Sequence, residues 1–322
     1  MTPAPNPTEA RGRAAFDPTV LDALSKLSLV ARTLVEGFMA GSHRARVKGS
    51  SMEFAQHREY VPGDDPRFID ERIFAKSDRL VVKEFVAETN FACHLLLDAS
   101  GSMGFGSAGK GSGSSPRAEG TRSKLDYARW CAAALGYLVL GQRDTAGLVV
   151  FDSTDRKKVP PGNGAAQGAS IVELLEQTQA TGETAVGEVL NWLLPRLRQR
   201  GIVCVFSDFF DDPEPLMDGV RKLRIAGHEP ILFQVLDPAE LEFEYAGHLR
   251  LDDLEGGAPQ KVDAKAIAIA YREEILKHNA ALAAQASSFG VDLVQLRTDQ
   301  PLDVALQAYL AKRTARARSA AK

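Results

Sequence analysis

Three apolar runs constrain this chain more than any other feature. "CHLLL" before Asp98, "IVCVF" at 202–206 and "ILFQVL" at 231–236 are almost unbroken in apolar side chains. A strand with one wet face alternates polar and apolar residues. A continuous run suits a strand covered on both faces, the condition of a central strand in a parallel sheet. Strand candidates at 80–86, 91–97, 146–151, 202–206, 230–236 and 291–296 are interleaved with helix candidates at 124–140, 170–177, 185–198, 214–225 and 264–288, with a last helix at 302–312. This alternation predicts an α/β fold: a doubly wound, mostly parallel open sheet with helices on both faces.

The flanking segments read differently. Residues 1–17 form a Pro-rich leader expected to be disordered. Leu21, Leu24, Leu27, Val30, Leu34 and Phe38 then recur at helical spacing, which predicts an amphipathic helix. The polar stretch that follows completes an N-terminal elaboration over 18–88, ahead of a main domain at 89–313. Within that domain, 240–260 alternates and carries Gly256-Gly257, so an inserted hairpin is expected, and the Gly/Ser-rich 105–122 reads as a mobile loop. The basic tail 314–322 reads as a solvated chain end.

A net charge of −3 offers no broad basic face for nucleic acid. No apolar run approaches the ~20 residues of a membrane-spanning helix, and the N-terminus lacks the apolar stretch of a secretory signal. Cys93, Cys131 and Cys204 sit in apolar surroundings and read as buried, reduced thiols. A cytoplasmic protein is expected.

The stretch "HLLLDASGSMGFGSAGKGSGSS", 94–115, contains three overlapping signatures. Gly104, Gly106 and Gly109 spell a dinucleotide fingerprint, but no strand ends just before them and no helix is expected until about Ser123. A phosphate-binding loop needs Ser or Thr after Lys110, where this chain has Gly111. The third, D-x-S-x-S, fits its setting. A strand delivers Asp98 to the carboxyl end of the sheet, where open α/β folds bind ligands. In an extended segment Asp98, Ser100 and Ser102 would face one side. One carboxylate and two hydroxyls suit a hard, oxygen-seeking cation, best Mg2+, with Mn2+ or Ca2+ as substitutes. Thr184, in "TGETAV", and Asp208, in "FSDFF", add oxygen groups at the same rim; alone, Thr184 reads as a helix cap and Asp208 as a turn residue.

"DASGS", "TGET" and "FSD", in this order, resemble the metal-ion-dependent adhesion site of von Willebrand factor A-like domains. The resemblance implies metal contacts, direct or through water, at Asp98, Ser100, Ser102, Thr184 and Asp208. It also implies a protein partner whose Glu or Asp completes the coordination. Upstream, "EFAQHREYVPGDDPRFIDERIF" resembles the signature of the bacterial domain-of-unknown-function family 58, R-x-Y-x-P-G-D-D-x-R-x-I-D-W. Arg58, Tyr60, Pro62, Gly63, Asp64, Asp65, Arg67, Ile69 and Asp70 match, while Glu71 stands where that family has Trp. The likeness runs over roughly 30–313 and implies a non-enzymatic adaptor or co-chaperone of a MoxR-type AAA+ ATPase. The charges over 58–72 are expected to form an ion-pair network.

Two other readings stand beside this one. Asp98, Asp152, Asp208 and Asp211 could hold Mg2+ for a phosphoryl-transfer hydrolase, although an aspartyl-nucleophile phosphatase wants a second Asp where Ser100 stands. Alternatively, the chain is a structural scaffold whose site holds no metal.

Overall fold

The computed structural model describes residues 52–62, 64, 66–87, 92–106, 123–245, 247–251, 260–302 and 305. The chain forms two compact units, one over 38–90 and a larger one containing 91–322. Among the described residues no helix is long and apolar enough to cross a membrane.

In the smaller unit β1 (Met52–Glu59) pairs antiparallel with β2 (Val81–Ala87), and α1 (Glu71–Ser77) lies between them in sequence. The strand expected at 80–86 is therefore present but pairs with β1 in a two-stranded sheet of its own. Local pattern identifies a strand without naming its neighbour, and the polar composition before residue 80 concealed β1. Asp70 organises this unit. One carboxylate oxygen caps α1 by accepting from the Arg72 and Ile73 amides at 3.0 and 3.3 Å. The other takes His57 Nε2 at 2.9 Å and lies 3.4 Å from Lys83 Nζ. The His57 hydrogen bond, aided by the capped amides and Lys83 against a burial penalty, pulls the Asp70 carboxyl down to about 2. Arg58 donates to Asp64 at 2.9 Å. The expected ion-pair network over 58–72 thus exists in part: Arg58 pairs with Asp64, while Asp70 pairs with Lys83 and is hydrogen-bonded to His57, both outside that span.

The larger unit runs β3 (Ala92–Asp98), α2 (Lys124–Gly141), β4 (Thr145–Phe151), β5 (Arg156–Gly162), α3 (Gly164–Gln177), α4 (Val186–Leu193), β6 (Gly201–Ser207), α5 (Pro213–Ile225), β7 (Glu229–Leu236), α6 (Pro238–Glu242), β8 (His248–Leu251), β9 (Gln260–Asp263), α7 (Ala264–Ser288) and β10 (Asp292–Arg297). Six strands form one sheet in the order β10-β7-β6-β3-β4-β5. All neighbours are parallel except β5, which runs antiparallel to β4. The mostly parallel α/β class read from the apolar runs is the one observed.

Helices cover both faces. Leu96 packs in a core with Val189 and Leu190 of α4, Leu216 and Val220 of α5, and Leu282 of α7. Its neighbour Leu95 lies on the other side, near Gly136 of α2 and Ile171 of α3. Leu95, Leu96 and Leu97 have no solvent exposure, and burying each such side chain contributes about 1.5–3 kcal/mol. Cys93, Cys131 and Cys204 are buried and outside any disulfide, as their surroundings predict.

Several boundaries differ from those read in sequence. β5, "RKKVPPG", carries three charges and two prolines, so it did not read as a strand. It is tolerated because it lies at the sheet edge, where missing amide donors leave no neighbour unpaired. α3 begins at Gly164, ahead of the expected 170. α4 stops at Leu193, and a 3-10 turn containing Pro195 replaces its expected last turns. The inserted hairpin is the β8–β9 pair, shifted to 248–251 and 260–263, with 252–259 outside the described residues. The leader, the first amphipathic helix, the loop 107–122, most of the 302–312 helix and the basic tail also lie outside them.

Candidate functional site

After β3 the chain proceeds to β4 on one side of it, and later to β6 on the other. β3 and β6 therefore flank a topological switch point, whose carboxyl-end crevice is the favoured ligand position in such sheets. The parallel register sets Leu97 beside Phe206, so Asp98 and Ser207 emerge together. Ser207 Oγ donates to Asp98 Oδ2 at 2.6 Å, and the Ser100 amide donates to Asp98 Oδ1 at 2.9 Å. Asp98 and Ser100 have no solvent exposure.

The route from Ser100 to Ser102 differs from the extended one read in sequence. Gly101–Gly104 form a 3-10 turn, so the chain curls as it leaves the sheet. The curl still brings the Ser100 and Ser102 hydroxyls together, 3.1 Å apart. Adjacent ligands of an octahedral Mg2+ are about 3.0 Å from each other when each bond is near 2.1 Å. The pair therefore matches one edge of such a shell.

The loop carrying Thr184 is stitched to this turn through backbone. Thr181 N–H donates to Ala99 O at 2.7 Å, and Gly101 N–H donates to Gly182 O at 2.8 Å. Gly182 adopts a φ of +72°, a conformation that glycine enters without steric penalty. Thr184 is half-buried just ahead of α4, which begins one residue later than read, with Ala185 as its cap.

Asp208 directly follows β6 and is 1% exposed. Its carbonyl accepts from Gln234 Nε2 at 3.1 Å. The next residue, Phe209, is held at a φ of +54°, in the left-handed region that a bulky side chain rarely occupies. Its amide donates to Ser207 Oγ and its carbonyl accepts from His278 Nε2, contacts that fix the strained turn.

The feature that sequence reading missed is Lys124, the first residue of α2. Its ammonium has no exposure and donates to Asp208 Oδ2 at 2.7 Å and to Glu240 Oε1 at 2.5 Å. Glu240 belongs to α6 and also closes a capping box with Asp237. A signal was available: Lys124 shares its spacing with the buried Tyr127, Ala128 and Cys131, which places a charge on the apolar stripe of α2. A charge there needs a buried partner.

The residues invoked for phosphoryl transfer do not all gather. Asp152 spends one oxygen on Thr154 and the Asp155 amide and faces Thr181 with the other. Asp211 accepts from the Asp212 amide within its own turn. Among the described residues no three His, Cys, Asp or Glu side chains group as a metal-ligand set. A cation at this rim would rely on hydroxyls and one or two carboxylates.

The local charge is negative. Asp98 feels Asp208, which shares Lys124 with Glu240, so three carboxylates meet one ammonium. Burial, and then the Asp208 charge, push the Asp98 carboxyl up to about 7, against the pull of its hydrogen bonds from Ser207 and Ser100. Burial alone would lower the Lys124 ammonium, but Asp208 and Glu240 outweigh it and raise it.

A family model described as "Protein of unknown function DUF58" matches residues 56–281. The chain is 27% identical over 293 residues to the uncharacterized protein Rv1480 of Mycobacterium tuberculosis, covering 88% of this chain and 86% of that protein. An uncharacterized protein of Mycobacterium bovis matches with the same identity and coverage. Among solved structures, the conserved hypothetical protein BatB from Bacteroides thetaiotaomicron has 16% identity and a TM-score of 0.45, covering 71% of this chain and 99% of its own. The SpRpn10 VWA domain has 12% identity and a TM-score of 0.38, covering 69% and 95%.

Proposed function

The chain belongs to the DUF58 family, and we propose that its larger unit is a protein-interaction module of the von Willebrand factor A type. In this reading it binds partners through a Mg2+-dependent adhesion site made by Asp98, Ser100, Ser102, Thr184 and Asp208. The observation that carries the reading is the 3.1 Å pair of Ser100 and Ser102 hydroxyls beside buried Asp98, where carboxylates outnumber ammonium groups. A bound Mg2+ supplies an open coordination position that a partner's Glu or Asp can fill. The chain's own residues prepare for that. Ser207 and the Ser100 amide fix the Asp98 carboxylate, and the 3-10 turn presents the two hydroxyls.

The partner proposed is a MoxR-type AAA+ ATPase, or a client of it, with this protein as a non-enzymatic adaptor or co-chaperone. That assignment draws on the likeness of the 58–70 signature to its family. Commitment of Asp152 and Asp211 to their own turns weighs against the hydrolase reading.

Affinity purification tests the proposal. Wild type in Mg2+ should retain a partner that is lost with EDTA and lost again with Asp98→Ala, whose circular dichroism should remain native. A partner retained equally in all three conditions would overturn it.

A further inference from the structure

We infer that Lys124 is a built-in counter-ion that withholds part of the Asp208 charge from a cation at the site of Asp98, Ser100, Ser102, Thr184 and Asp208, so that the site binds metal weakly and leaves it electron-poor toward a partner's carboxylate. The inference rests on the metal-site reading above and assigns a role to a residue outside that site's ligand set.

The ammonium is caged. It has no solvent exposure, it is held by Asp208 Oδ2 and Glu240 Oε1, and the Phe210 and Phe105 rings flank it at 5.1 and 5.9 Å. In such a dry setting its charge is screened far less than at the surface. The other oxygen of Asp208 has a long contact, 3.4 Å, from the Phe210 amide. For Asp208 to turn its charge fully toward a divalent ion, it would have to surrender Lys124. Glu240 makes that surrender incomplete, because it keeps the ammonium anchored even when Asp208 is drawn off. Two cations of like sign would then sit close together, each weakening the other's hold on Asp208.

The consequence is a division of charge. Asp98 supplies the cation with one formal negative charge, Ser100 and Ser102 supply none, and the charge of Asp208 is already shared. A divalent ion held this way keeps net positive charge and discriminates for an anionic oxygen over a neutral one. The same ammonium ties α2 and α6 to the end of β6, so the site and the segment leading into the β8–β9 hairpin share one ion cluster.

Calorimetric titration with MnCl2 and with MgCl2 tests the inference on wild type, Lys124→Met, Asp208→Asn and the double variant. Lys124→Gln serves as a second probe if the methionine fails to fold. Lys124→Met should bind Mn2+ at least tenfold more tightly than wild type, and that gain should shrink in the Asp208→Asn background. Equal or weaker binding by both Lys124 variants, with wild type binding, would overturn the inference and leave the metal-site reading intact. No binding heat from any protein would overturn both.

Discussion

Lys124 Nζ lies 2.7 Å from Asp208 Oδ2, with both side chains almost completely withdrawn from water. Breaking such a pair from one side leaves a buried charge without compensation, which typically costs about 3–5 kcal/mol. In metal-free buffer, Lys124→Met should lower unfolding stability in urea by that amount. Adding Asp208→Asn should recover a large part of the loss. A single variant as stable as wild type would mean that water reaches Asp208.

Asp98 gives a pH dependence of defined sign. Its carboxyl is raised from the ordinary 3.8 to about 7 in the folded protein, so folding favours the protonated form. The associated stability is complete below about pH 4 and is lost as pH rises through about 7. In EDTA, Asp98→Asn should flatten the melting temperature over that interval and exceed wild type at pH 8. A gain of about 1 kcal/mol would appear as roughly 2–4 °C in a unit of this size. An unchanged pH profile would show that Asp98 is ionised throughout.

Gly182 positions the Thr184 loop through a conformation foreign to other residues. Gly182→Ala would meet the left-handed penalty of roughly 1–2 kcal/mol and would place its Cβ 3.4 Å from the Asp152 carboxyl carbon. Lower stability by urea unfolding is expected, together with weaker Mn2+ binding because the loop beside the Ser100–Ser102 turn shifts. Unaltered stability would mean that the backbone relaxes without strain.

Glycines were the most visible part of 94–115, yet the side chains that converge are Asp98, Ser100 and Ser102. The 3-10 turn that brings Ser102 to Ser100 was not legible, whereas the place of Asp98 at the end of a central strand was, from the apolar run before it. Asp208 was legible for the same reason at the end of β6. Asp152 shows the limit of such reading. It follows a buried strand as Asp98 does, but one of its carboxylate oxygens is taken up by its own turn and the other faces Thr181.

By itself the sequence determined the layered α/β class and the central strands, because burial on both faces leaves a local record in continuous apolar residues. It also determined which end of the sheet carries oxygen groups, because strand direction follows chain direction. Tertiary structure alone decided that β2 pairs with β1 and that the polar "RKKVPPG" closes the sheet edge. It alone brought Lys124, Asp208 and Glu240 into one ion cluster. Strand partners and buried ion pairs join residues far apart in the chain. Their energy depends on a distance and a local dielectric that exist only once the sheet and helices have assembled.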